Sequence, residues 1–389
     1  MKQKLRVGVI GVGNVGSAHA NALYKGEVEN ALLSALCDND GTRAETLKKE
    51  YPSVPVFEDS EALLRSGLVD AVVVATPHYD HPVISMNAFS YGIDVLSEKP
   101  AGVYCQNVKE AVNAAKAKGR VYAVMFNQRM NTLYRRAHDI VQKGELGSLK
   151  RILWSVTNWY RTDAYYRSSS WRATWRGEGG GVLMNQAPHN LDLLQWICGM
   201  PESLYAHCTE GRFHNIEVED EATLILRYKN GAEGIFITST GDYPGTNRLE
   251  ITGTKGTLVI ENGKMIHKQL SIDEREFVKM PENASNPIFI TEYRDEPYNG
   301  HLMVMQAFVR ASLYGECPVA TAEEAINELT LSNAAYLSAW KGETVSLPIS
   351  DEEYLSYLNK KREGASINVG TSSSNEHGGE YHPRWNTKW

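Results

Sequence analysis

Two stretches of this chain hold residue types able to move protons, and a third holds the means to bind an anion. SEKP places Glu98, Lys99 and Pro100 directly after the apolar run IDVL. A lysine in water, near pKa 10.4, is a poor base at neutral pH, but burial lowers that value towards the working range. GGGVLMNQAPHNLDLLQWICG, residues 179–199, has Leu191, Leu194 and Ile197 at the spacing of a buried helix face. Its first turns nevertheless carry Asn185, Gln186, His189, Asn190 and Asp192, a polar cluster foreign to a core. Histidine titrates near 6.5, so His189 is a candidate for proton transfer or substrate orientation, the plain alternative being a residue at a helix start after Pro188. Asp192, three residues on, shares that face and is expected to bond the imidazole or a substrate hydroxyl.

GVGNVG, Gly11–Gly16, follows a strand-like run and opens a helical one, the context in which G-x-G-x-x-G binds a dinucleotide. Gly11 serves the tight turn, Gly13 the approach of pyrophosphate and Gly16 close helix packing, with Asn14 and Val15 between them at the helix N-terminus. Asp38 stands 22 residues after Gly16, near the spacing at which an acid takes the ribose hydroxyls. A carboxylate there repels a 2′-phosphate, which favours NAD over NADP. Arg43 nearby leaves NADP open, and Asp38 could instead cap the helix beginning near Gly41.

The elements that must position these residues fall into two grammars. From residue 5 to about 126, LRVGVIG, LLSALCD, VDAVVVATP, IDVLSEKP and VYAVMF alternate with helix-spaced runs, which predicts a doubly wound parallel sheet of the Rossmann type covered on both faces. SEKP then lies at the carboxyl end of a central strand, where open α/β sheets bind ligands. Beyond Asn127 come a helix near 133–143, the strand-like LKRILWSVTNWY, and runs meeting at Asn230-Gly231 and Asn262-Gly263. Asn-Gly between alternating strands signals a hairpin, so this half is expected to be a second α/β domain on an open, largely antiparallel sheet, closed by helices near 302–314 and 323–340. The resulting division is 1–126, 127–350 and a C-terminal extension 351–389. The end of that extension, with Tyr381, Arg384, Trp385 and Trp389, reads either as a solvated tail or as a segment docked through its aromatics.

Composition excludes several classes of function. A chain of 389 residues calls for more than one domain, and 40 Lys plus Arg against 47 Asp plus Glu gives a formal charge of −7, which argues against a nucleic-acid partner. Five scattered cysteines without CxxC spacing indicate neither disulfides nor structural zinc. His78 and His81 have no evident third ligand, so no metal is expected. MKQKLRVGVIGVG lacks the features of a signal peptide, and no apolar run approaches the roughly 20 residues of a membrane span, so a cytoplasmic location is expected.

Glycine loop, ATPxxxH (Ala75 to His81), EKP, and GGG followed by an N/D-x-x-x-H-x-x-D helix together resemble the Gfo/Idh/MocA family, the glucose-fructose oxidoreductase and inositol dehydrogenase group. The resemblance covers about residues 5–350. It implies an NAD-dependent oxidoreductase of pyranoses, cyclitols or related polyols, assembled as a dimer or tetramer. On this chain it makes Lys99 and His189 the catalytic pair and brings Thr76, Pro77, His81, Glu98 and Lys99 to the cofactor. Asn185 stands where many members have aspartate. An amide orients but neither takes nor gives a proton, so transfer falls to Lys99 or His189.

Between Trp159 and Arg176, WYRTDAYYRSSSWRATWR offers aromatic faces for sugar rings and guanidinium groups for hydroxyls or anionic substituents. Arg161, Tyr165, Tyr166, Arg172 and Trp175 are the substrate-pocket candidates, together with Lys99, Asn185, His189 and Asp192. Asn127 and Arg129, in FNQR at the domain junction, suit substrate contact or a hinge equally. The leading expectation is a dehydrogenase of a ring secondary hydroxyl on a sugar, cyclitol or glycoside. The alternatives are a glycosidase that uses transient oxidation, and a non-catalytic dinucleotide-binding protein.

Overall fold

The computed structural model describes residues 4–364, so the aromatic end of the tail lies outside the described residues. Short β-branched runs, each followed by a helix, form six strands: β1 (Leu5–Ile10), β2 (Ala31–Cys37), β3 (Val56–Phe57), β4 (Ala71–Val74), β5 (Asp94–Ser97) and β6 (Tyr122–Val124). All pair in parallel in the order β3-β2-β1-β4-β5-β6. This is the dinucleotide-binding order, in which the winding reverses between β1 and β4 and leaves a crevice at the carboxyl ends. Every residue of β4 and β5 is buried, as strands covered on both faces require. β3, two residues long, is too short for any periodicity to announce.

The second sheet contains nine strands: β7 (Leu149–Val156), β8 (Ser203–Glu210), β9 (Glu219–Arg227), β10 (Glu233–Ser239), β11 (Asn247–Gly253), β12 (Gly256–Glu261), β13 (Lys264–Leu270), β14 (Ile288–Arg294) and β15 (Val345–Ser346). Only the β7–β10 pair is parallel. Asn262 and Gly263 both have positive φ, 51° and 69°, the geometry of the tight turn joining β12 to β13. At Asn230-Gly231 the hairpin is wider, closed by Tyr228 N–H donating to the Ala232 carbonyl. Alternation along the strands sends Ile152, Trp154, Leu224, Phe236 and Ile251 into one core with Leu191, Leu194, Leu331 and Tyr336 of the covering helices. On the opposite face Ile225 and its cross-strand partner Ile235 stay exposed.

Three boundaries differ from the sequence expectation. The run 179–199 is not one helix. Proline lacks the N–H that would continue the ladder, so a short helix Val182–Asn185 stops and a second, Pro188–Cys198, starts with Pro188 in its first turn. The division at 126 is crossed by the helix Gly300–Tyr314, which places Val304, Met305, Phe308 and Val309 in the core of the first sheet beside Val7, Val9 and Leu36. The first fourteen residues of the expected extension, Asp351–Gly364, are a helix with Tyr354 and Leu358 buried, because Trp340 stacks on Tyr354 and Tyr357.

A charged clamp closes the junction. Arg129 donates from Nε (2.8 Å) and Nη2 (2.7 Å) to the two oxygens of Asp192, and both side chains are almost fully buried, at 2% and 1% exposure. Removing one partner strands a buried charge, which costs about 3–5 kcal/mol. Arg129→Ala is therefore expected to lower stability by that amount in a denaturant titration. A loss below about 1 kcal/mol would show that Asp192 is not held as a buried charge.

Candidate active site

β1 ends in the glycine loop, and its glycines are fixed by what a side chain would strike. At Gly11, with φ +83°, a Cβ would lie 2.7 Å from the Ala75 backbone, and at Gly16 it would lie 1.9 Å from the Gly11 carbonyl oxygen. At Gly13 it would meet nothing within 4 Å. That open position adjoins the N-terminus of the helix Asn14–Tyr24, which has no side-chain cap, so its amides face an uncontested space suited to an anion. The Thr76 hydroxyl, beyond the end of β4, is buried with no hydrogen-bond partner among the described residues. Asp38 Oδ2 accepts from Val12 N–H at 2.8 Å, which holds this carboxylate against the loop, and the helix Gly41–Glu50 is capped by Asp40 instead. Arg43 donates to Val12 O (2.9 Å) and Ser17 Oγ (2.6 Å) and so braces the loop. These features fit a dinucleotide, with Gly13 and the helix N-terminus at its pyrophosphate and Asp38 at its adenosine ribose.

Lys99 leaves the carboxyl end of β5 and crosses to the second half of the chain, where Nζ donates to the Asn185 main-chain carbonyl at 2.7 Å. Burial drives its pKa down, against the opposing pull of Glu98 and Glu178. His189, one position into the helix after Pro188, is buried with Phe126 edge-on at 6.1 Å. Burial, then the charge of Lys99, holds its pKa well below the usual histidine value. Behind Lys99, Glu98 Oε1 meets His19 Nε2 at 2.7 Å, and the His19 ring lies 5.8 Å from that of His301. Burial alone would raise the Glu98 pKa, but the His19 bond and the charges of His19, His301 and Lys99 pull it down to about 2. Asn127 Nδ2 lies 3.2 Å from His301 Nδ1.

The short helix that presents Asn185 is anchored by Glu219 of β9, whose carboxylate accepts from Gly181 N–H, Leu183 N–H and the Tyr336 hydroxyl. Asn185 Nδ2 donates to Glu178 Oε1 and reaches the Tyr165 hydroxyl at 3.4 Å. That hydroxyl also receives Arg172 Nη1 (2.7 Å) and Gln186 Nε2 (3.1 Å), while the Arg161 and Arg172 guanidinium groups lie 4.9 and 4.5 Å from the Tyr165 ring centre. Lys99, Asn185, Tyr165, Arg161 and Arg172 thus form one connected group.

Other expected members lie elsewhere. Asp192 has both oxygens engaged by Arg129 and one also by Gln195, and it is tied to the domain junction instead of the His189 imidazole. Trp175 packs against Tyr336 and Trp340 and lines a cavity of about 480 Å³ with Glu219 and Lys361, a space that Lys99 and His189 do not line. Tyr166 gives its hydroxyl to Thr240 at 2.8 Å and its ring to His214. His81 lies with its ring nitrogens 2.8 Å from the Thr76 and Pro100 carbonyls; burial lowers its pKa, and the neutral ring donates to one of the two, between the loops after β4 and β5. Among the described residues no cluster of three or more His, Cys, Asp or Glu could hold a metal ion, and no helix is long and apolar enough to cross a membrane.

Residues 5–126 match the model of an oxidoreductase family with an NAD-binding Rossmann fold, and residues 134–259 match the Gfo/Idh/MocA C-terminal domain. The chain belongs to the Gfo/Idh/MocA family. It is an NAD-binding oxidoreductase. Among its relatives is a myo-inositol 2-dehydrogenase of Thermotoga maritima, 24% identical over 88% of this chain and 98% of that one. A scyllo-inositol 2-dehydrogenase (NAD(+)) of Bacillus subtilis is also 24% identical, over 90% and 98%. Among solved structures, the WlbA dehydrogenase of Bordetella pertussis in complex with NADH and UDP-GlcNAcA superposes with a TM-score of 0.75 at 28% identity, covering 89% of this chain and 100% of that one.

His19, Glu178 and His301 escaped the sequence reading. His19 had a weak signal, three residues after Gly16 and hence on a neighbouring helix face. Glu178 carried one too, as the single charge in GEGGG. His301 had none, since only folding brings the helix Gly300–Tyr314 to β5. The glycine loop yields a paired prediction. Gly13→Ala is expected to leave the melting temperature within about 2 °C and to weaken NAD at least tenfold, about 1.4 kcal/mol by calorimetry. Gly16→Ala is expected to lose the fold, and unaltered NAD affinity in Gly13→Ala would remove the pyrophosphate from this loop.

Proposed function

We propose that this protein is an NAD-dependent dehydrogenase that oxidises a secondary ring hydroxyl of a sugar or cyclitol, with Lys99 as proton acceptor. The observation that carries this reading is the Lys99 amine, mostly buried at the carboxyl end of β5 and held 2.7 Å from the Asn185 carbonyl, in the same charge environment as His189. The relatives that act on inositols and the neighbour with a nucleotide-sugar acid bound supply the substrate class. None of the proteins named above is a glycosidase.

When bound, NAD accepts the hydride from the alcohol carbon. The chain's own groups handle the proton. Burial lowers the Lys99 pKa from the ordinary lysine value, which raises the share of unprotonated amine able to take the hydroxyl proton. The same burial moves His189 further below neutrality and makes it the weaker base. His189 therefore works as a neutral imidazole that orients the hydroxyl by hydrogen bonding. Arg161 and Arg172, placed over the Tyr165 ring, are positioned for the remaining hydroxyls or for a carboxylate substituent.

Purified protein given NAD and a panel of inositols, aldoses and uronic acids is expected to form NADH with at least one of them. Lys99→Ala should lower kcat/KM about 10²- to 10⁴-fold while the NAD dissociation constant stays within about threefold. In the wild type, kcat/KM for oxidation should rise with pH through a pKa below 10.5, the ordinary lysine value, since the neutral amine is the reactive form. Wild-type turnover in Lys99→Ala would end this reading. We also infer that the exposed face of the nine-stranded sheet joins copies of the chain. Ile225→Lys combined with Ile235→Lys is expected to convert the oligomer to monomer by light scattering, and an unchanged mass would place the interface elsewhere.

A further inference from the structure

Among the buried carboxylates that the mechanism above does not use, Glu178 is the one bonded to the Asn185 side chain. Glu178 lies in the loop before the short helix Val182–Asn185 and is only 2% exposed. Its two oxygens have different partners. Oε1 accepts from the Asn185 side-chain amide, and Oε2 accepts from Ala173 N–H at 2.6 Å. Its main-chain carbonyl meets His78 Nδ1 at 3.0 Å. The loop has little freedom to place this group elsewhere. Gly179, at φ +83°, sits so close to Val103 that a Cβ would come within 2.3 Å of Cγ1, and Ala173 adopts a left-handed φ of 54°.

A carboxylate of this depth is costly unless it faces positive charge or donors. Here Asn185 stands between Glu178 and Lys99, its side-chain amide on the carboxylate and its main-chain carbonyl on the Lys99 amine. We propose that Glu178 is the positioning residue of this site, supplying through Asn185 the negative charge that sets the protonation of Lys99 and orients the amide facing the substrate. This rests on the reading of Lys99 as proton acceptor.

The groups that face Lys99 come from six elements. Glu98 follows the same strand, Glu178 and Arg172 come from the aromatic loop, and Glu328 comes from the helix Ala322–Lys341; the three acids favour the ammonium and Arg172 opposes it. His78, His189 and His301, from the loop after β4 and from two further helices, each feel its charge. Glu98 is already tied to His19, whereas Glu178 acts on Lys99 by its charge and is bridged to it by Asn185, whose side-chain amide bonds the carboxylate and whose main-chain carbonyl bonds Nζ. Burial raises the Glu178 pKa above the ordinary carboxylate value, with Arg172, Ala173 N–H, Asn185 and Lys99 pulling the other way.

The sign of the effect follows from charge. Replacing Glu178 by glutamine removes a negative neighbour, disfavours the ammonium and lowers the pKa of Lys99. The readout is the pH midpoint of Lys99 acylation by acetic anhydride, measured by peptide mass spectrometry on the full chain, beside the pH profile of kcat/KM. In Glu178→Gln both midpoints are expected to fall by about half a pH unit or more, with NAD affinity within about twofold and kcat reduced about tenfold or more. The exchange Glu178→Gln with Asn185→Asp keeps one carboxylate and one amide in contact, with their roles reversed. It is expected to return the midpoints to within about 0.2 unit of wild type.

Unchanged midpoints in Glu178→Gln, or a folded exchange variant that behaves like the single one, would overturn the proposal. If the single variant does not fold, the exchange variant decides alone, and loss of fold in both would mark Glu178 as purely structural. Acylation requires no turnover. Wild-type turnover in Lys99→Ala would therefore refute Lys99 as the base, while the shift of the Lys99 acylation midpoint in Glu178→Gln still reports on Glu178.

Discussion

A single lysine amine held out of water organises this molecule. Lys99 is mostly buried; the Asn185 carbonyl at 2.7 Å replaces part of its solvation, and acids on two sides limit how far burial depresses its pKa. That bond joins the end of β5 to a helix from the other half of the chain, so the site exists only where the two halves meet. Glu98 would be an unfavourable neighbour by itself, being buried. His19, from the glycine-loop helix, makes it tenable and thereby links the anion-binding end of the crevice to its basic end.

Much of the remaining structure serves to keep that meeting point rigid. Gly11 and Gly16 let the loop fold back on itself and on the Ala75 backbone. His81 lies between the loops after β4 and β5. Glu219 fixes the helix bearing Asn185, and the Arg129–Asp192 clamp fixes the helix bearing His189. Asp192 is almost fully buried and accepts from both Arg129 and Gln195. Asp192, on the same helix as His189, thus serves to fix that helix.

The parallel half of the fold was legible in the sequence because every strand there but the two-residue β3 is a local pattern, and the glycine loop and SEKP sit where those patterns end. The Asn-Gly hairpins were legible for the same reason, since Asn262 and Gly263 need only their own backbone geometry. What escaped was non-local. The aromatic loop reads as one group of candidates, yet its residues diverge in space: Tyr165 joins Asn185, Tyr166 turns to Thr240, and Trp175 packs edge-on against Trp340. Nothing in the spacing separates these fates, which depend on the side of the second sheet each residue meets. His301 could not be found at all, because it reaches the cluster from a helix more than 100 residues beyond His189.

The most direct test is a crystal structure of the ternary complex with NAD and a polyol that the enzyme turns over. The account predicts one secondary hydroxyl oxygen within about 2.6–3.2 Å of both Lys99 Nζ and a ring nitrogen of His189, with the carbon bearing it facing the nicotinamide. A polyol bound instead in the cavity between Trp175 and Trp340, or with no hydroxyl within reach of Lys99, would contradict it.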